Sequence, residues 1–84
     1  MAKIIYTDGR EVAVKPKNGT DFSLEELQEV VGGYIEIIYV KGNDIMVLNE
    51  EGKLIGLPIN DKASYMAGEL IVGNVLICDT KMVK

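Results

Sequence analysis

Apolar and polar positions alternate with a period of two at the start of the chain. Lys3 to Thr7 and Glu11 to Lys15 are alternating or β-branched segments on either side of Asp8-Gly9. That pattern predicts a β-hairpin closed by a two-residue type I′ turn. After the polar stretch Pro16 to Thr20 the period changes. Leu24, Leu27, Val30 and Val31 recur at helical spacing, and two signals mark the helix start. Ser23 and Glu26 have capping-box spacing, and Phe22 is placed to staple onto Leu27. Gly32-Gly33 supplies a left-handed residue where the helix must stop. The expected helix runs from Ser23 to Val31, with Leu24, Leu27, Val30 and Val31 buried.

The period returns to two at Tyr34 to Val40, where both faces are largely apolar. Ile35, Ile37 and Tyr39 share one face; Tyr34, Glu36, Ile38 and Val40 share the other. Lys41-Gly42-Asn43-Asp44 turns the chain into Ile45 to Leu48, and Asn49-Glu50-Glu51-Gly52 turns it again into an expected strand at Lys53 to Leu57. Pro58 ends that strand, because proline cannot donate to a sheet ladder. Asn60 is positioned to cap a second, short helix through Gly68, with Ala63, Met66 and Ala67 inward. Leu70 to Asp79, interrupted by Gly73-Asn74, is the last expected strand, and the polar tail 80–84 is expected to fray. The reading is one small α+β domain over residues 1–84: a mainly antiparallel sheet of five to six strands, one capped helix and one short second helix.

An apolar surplus accompanies this layout. Tyr34, Ile38, Val40, Met46 and Leu48 all lie opposite the face carrying Ile35, Ile37 and Tyr39. The second face therefore needs a cover: a curled sheet, a partner subunit that would make a homodimer, or the second helix packed opposite the first.

Composition narrows the function classes. The chain has 84 residues, 48% of them hydrophobic, which suits one folded core. No apolar run approaches the roughly 20 residues of a membrane-spanning helix. Met1 to Tyr6 lacks the pattern of a secretory signal, and Cys78 is the single cysteine, so a reducing cytoplasm is the expected compartment. Residues 21–51 hold eight acidic side chains against Lys41 alone, within an overall charge of −4. That balance forfeits the counterion release that drives nucleic-acid binding, so no nucleic-acid partner is expected and a basic one fits better.

Candidate chemistry is sparse. The absence of histidine removes the commonest general base and imidazole metal ligation. Cys78 lies in the apolar run Val75 to Cys78, the setting of an inert buried thiol. Glu50 and Glu51 sit at a turn tip where nothing separates their pKa values, and no carboxylate spacing matches a calcium loop. Neither a catalytic residue, a metal site nor a cofactor is expected. What remains for binding is Tyr34 and Tyr39, whose rings offer a stacking face and a hydroxyl, together with Asn49 and Asn60. The two asparagines flank one expected strand, and each also suits a local role, as turn former and helix cap.

The segments Leu27 to Glu36, Asn49 to Leu54, Gly56 to Asn60 and Ile71 to Ile77, in that order, resemble an uncharacterised family, a domain of unknown function carried by phages, prophages and plasmid-like elements of bacteria. Asp61 and Asn74 depart from the basic and acidic residues expected there. The resemblance implies no catalytic residues. The functional expectation is a non-catalytic accessory protein of a phage or mobile element that binds a host protein or small metabolite through Tyr34, Tyr39, Asn49 or Asn60. The alternative is a structural module that assembles with copies of itself.

Overall fold

A computed structural model describes residues 2–83. Five strands form one antiparallel sheet: β1 (Ala2–Ile5), β2 (Glu11–Val14), β3 (Ile35–Lys41), β4 (Asp44–Asn49) and β5 (Val75–Asp79), in the order β2-β1-β5-β4-β3. Two α-helices, α1 (Leu24–Val31) and α2 (Asp61–Ala67), complete the α+β domain. The last strand in sequence takes the centre of the sheet, between β1 and β4. Its Val75-Leu76-Ile77-Cys78 run is apolar on both sides, and all four residues are buried. A strand covered on both faces requires that composition.

Alternation along the central strands divides the interior into two cores. Ile45, Val47, Leu76 and Cys78 point to one face, where they pack with Leu27 and Val31 of α1 and with Ala2 and Phe22. Met46, Leu48, Val75 and Ile77 point to the other, where they pack with Ile5, Ile71 and Ala63 of α2. The second helix therefore covers the second apolar face, the last of the three covers that the sequence leaves open.

Both helices have the expected ends. Ser23 Oγ accepts the Glu26 N–H at 3.1 Å and Glu26 Oε1 accepts the Ser23 N–H at 2.9 Å, completing the capping box. The Ser23 and Lys17 backbone N–H groups on the Glu26 carboxylate hold its pKa below the ordinary value. Gly32, at φ 80°, closes α1 in the left-handed region. Asn60 caps α2 and Gly68 ends it. Of the expected helix faces, Leu27, Val31 and Ala63 are buried and Val30 and Ala67 partly so, while Leu24 and Met66 are exposed. Phe22, fixed by a bridge to Val83, fills the core ahead of Leu27 instead of Leu24.

Four further expectations change. The first hairpin turns through a longer loop: Gly9 N–H donates to Tyr6 O at 3.0 Å and Tyr6 N–H to Arg10 O at 2.9 Å. A type I′ turn would need positive φ at Asp8, yet among the described residues only glycines have positive φ, and Gly9 takes that role at 95°. Asp8 instead accepts the Arg10 backbone N–H at 3.0 Å and Nε at 2.7 Å. Lys53 to Leu57 is not a strand. The chain winds on after Gly52, with Ile55 N–H donating to Glu51 O and Leu57 N–H to Gly52 O, both at 3.0 Å. Leu70 to Asp79 is a strand only from Val75, because Gly73 at φ 81° breaks the extension. Residues 80–83, expected to fray with Lys84, carry a short 3₁₀ turn at Thr80–Met82, with Met82 and Val83 against the α1 core; Lys84 lies outside the described residues.

Two substitutions check the α1 assignment. Leu27→Ala is expected to lower the unfolding free energy by about 2–5 kcal/mol through the cavity it leaves. Ser23→Ala is expected to lower it by about 1 kcal/mol through the lost cap. Urea titration measures both, and a Leu27→Ala protein as stable as the parent would contradict the packing.

Candidate functional site

The four residues singled out in the sequence fall in different places. Asn49 ends β4 and is buried. Its Nδ2 donates to Val31 O at 3.1 Å and its Oδ1 accepts the Glu51 N–H at 2.8 Å, so it joins the end of α1 to the start of the next loop. A side chain on Gly33 would meet Asn49 Nδ2 at 3.0 Å, which explains the small residue there. Asn60 is 1% exposed. Its Nδ2 donates to Ile5 O and Gly73 O, each at 2.9 Å, and its Oδ1 accepts the Ala63 N–H at 3.1 Å. Both amide hydrogens are thus taken inside the protein. Tyr34 and Tyr39 are 66% and 77% exposed. Tyr34 immediately precedes β3 and Tyr39 lies toward its far end, and only Tyr34 meets another of the four: with Asn49, Gln28, Glu51 and Ile55 it lines a shallow cavity of about 260 Å³.

Two outward apolar residues lie nearby, Leu54 in the loop after β4 and Leu70 after α2, and neither is a candidate from the sequence. Leu54 is 86% exposed and Leu70 49% exposed. They form the lips of a narrower cavity of about 120 Å³, with Ile38, Leu48 and Ile71 among its lining and Glu36, Glu50, Glu69 and Lys53 around it. Ile55, next to Leu54, belongs to the Tyr34 cavity, so the two clefts lie on either side of one loop. The loop is held in place from beneath. A side chain on Gly52 would meet Val72 Cγ2 at 2.8 Å, and one on Gly73 would meet Leu57 Cδ1 at 2.8 Å. The turn residues Asn49 to Gly52, with Gly56 and Pro58 following, were the signal for a loop.

At the hairpin end, charges neutralise one another. Glu11 accepts from Lys3 Nζ at 2.7 Å and from Lys62 Nζ at 3.0 Å, and these two lysines hold its carboxyl below the ordinary range. Lys62 Nζ also donates to Gly9 O at 2.6 Å, linking α2 to the hairpin loop. Arg10 stacks over the Tyr6 ring at 4.4 Å. The two departures from the resembled family have local partners or positions: Asn74 Oδ1 accepts the Thr7 N–H at 3.1 Å, and Asp61 opens α2, where a negative charge favours the helix. Among the described residues, no group of three or more Cys, Asp or Glu side chains converges as a metal site. No described helix is long and apolar enough to cross a membrane.

Fold and surface together define a small α+β domain, an antiparallel sheet between two helices, with two small clefts on either side of the loop after β4. The chain belongs to the family described as Domain of unknown function (DUF3846), whose model matches residues 2–82. The match includes the first hairpin, beyond the segments that carry the resemblance. No curated protein and no solved structure matches the chain.

Cys78 is fully buried, and that burial pushes its thiol from 9.0 up to about 11, with Asp44 and Asp79 adding to the rise. The folded state thus favours the neutral thiol. Its contribution to stability is intact below pH 9.0, where the unfolded thiol is also neutral, and is lost as pH rises toward about 11. A thiol reagent at about pH 8 should label the native protein far more slowly than the denatured one. Equal rates would contradict the buried placement.

Proposed function

We propose that this protein is a non-catalytic binding module, an accessory protein of a phage or mobile element acting by stoichiometric association with a host protein. The observation that carries the reading is the outward display of Tyr34, Leu54, Ile55 and Leu70 around a loop fixed by hydrogen bonds and close glycine packing. Apolar side chains held in water by a well-packed backbone are characteristic of interaction surfaces. The mobile-element setting rests on the resemblance of the segments from Leu27 to Ile77. A small host metabolite is a weaker candidate, since Asn60 has no amide hydrogen to offer and the clefts, of about 260 and 120 Å³, are smaller than ordinary small-molecule sites.

Self-assembly is a second reading, favoured by β3, which borders β4 alone and carries Ile37 and Tyr39 exposed. The need for a partner over the sheet's other face, which first suggested a homodimer, is met by α2. Glu36, Lys41 and the bulge between Tyr39 and Lys41 also discourage indiscriminate edge pairing.

Immobilised protein is expected to retain one host protein from bacterial extract at a near-equimolar ratio. Leu54→Asp should abolish retention while leaving the melting temperature unchanged, because Leu54 contributes little to the core. Retention by Leu54→Asp equal to that of the parent would place the binding surface elsewhere.

A further inference from the structure

The uncovered edge of β3 and the cleft between Leu54 and Leu70 lie side by side. Glu36 and Ile38 belong to β3, and both line that cleft. The pairing of β3 with β4 is regular from Ile35 to Tyr39, so the outer edge of that stretch is an ordered strand with no neighbour among the described residues. Along it, Glu36 and Ile38 face the α2 side and Ile37 and Tyr39 the α1 side. From this juxtaposition we propose that the edge and cleft form one docking site for an extended segment of a partner protein in which apolar residues are interspersed with lysine or arginine. The proposal rests on the binding reading above and names the partner's chemistry.

The segment adds to the sheet along Ile35 to Tyr39 and makes main-chain hydrogen bonds with β3, a mode that leaves its side chains alternating between the two faces. On the α2 side an apolar side chain enters the cleft, whose volume of about 120 Å³ has Leu48 and Ile71 as buried lining and Leu54 and Leu70 as lips. On the α1 side the alternate residues lie against Ile37 and Tyr39. Charge selects the flanking residues. Glu36, Glu50 and Glu69 line the cleft against Lys53 alone, and the chain as a whole carries −4. A basic segment gains from that field and an acidic one is repelled. A second copy of this chain brings the same acidic rim toward itself, which is why a different partner is the occupant.

The test uses the intact protein and a displayed library of random heptapeptides. The expected result is enrichment of peptides that combine Leu, Ile or Phe with Lys or Arg. Their binding should weaken at least about tenfold in Leu54→Asp and in Glu36→Lys, and should fall with added salt. In the bound state, amide hydrogen exchange within Ile35 to Tyr39 should slow. Circular dichroism confirms that each variant folds, and both substitutions lie on the surface. Failure of enrichment, enriched peptides without basic residues, undiminished binding by the two variants, or unchanged exchange along β3 would each overturn the proposal. The extract experiment separates the two levels of failure. A host partner retained through Leu54 but bound by a segment without basic residues would overturn the partner chemistry and leave the binding reading standing. Loss of both results would overturn both.

Discussion

The carboxamide of Asn60 is the fastening on which the α2 side of the protein depends. It lies where β1 ends, where the chain enters β5 and where α2 begins, and it bonds to all three: Ile5 O, Gly73 O and the Ala63 N–H. Its backbone N–H donates to Ile71 O at 2.9 Å, and Ser64 Oγ adds bonds to the backbone of Asn60 and Ile71. A helix of seven residues has little stability of its own. Held by this network, α2 covers Met46, Leu48, Val75 and Ile77, and the sheet acquires its second core. A buried polar group with every bond made specifies one arrangement of its neighbours; the same group with a partner missing is strongly destabilising.

That arrangement sets what remains outside. With α1 on one face and α2 on the other, the sheet keeps its edges, where Ile37 and Tyr39 are exposed, and the ends of its strands open to a partner. The loop after β4 lies at such an end, packed from below through Gly52 and Leu57 and presenting Leu54 and Ile55 above. The rigid part and the exposed part of that loop are a few residues apart, so a partner could bind it without ordering the chain first.

Much of this was legible in the sequence because short-range signals dominate it. The capping box at Ser23 and Glu26, the glycine after each helix, and the apolar period of Val75 to Cys78 are local, and the structure keeps each one. The misread parts depend on distant contacts. Lys53 to Leu57 is apolar enough for a strand, yet it winds because Gly52 packs against Val72 and its ladder position beside β4 belongs to β5. Asp8-Gly9 is compatible with two hairpin loops, and the bonds from Arg10 to Asp8 select the longer one. That Asn49 and Asn60 are buried, each bonded to backbone groups distant in the chain, could not be read from their neighbours in sequence.

Replacing Asn60 by aspartate tests this account most directly. Aspartate caps a helix as well as asparagine does, so a residue acting only as a cap would tolerate the change within a few tenths of a kcal/mol. The tether described here requires two donors, and aspartate has none when ionised; it would set a carboxylate against the Ile5 and Gly73 carbonyls. The expected result in urea titration of Asn60→Asp is a loss of more than about 2 kcal/mol, at least as large as that of Asn60→Ala. An Asn60→Asp protein as stable as the parent would contradict the claim that this carboxamide holds α2 to the sheet.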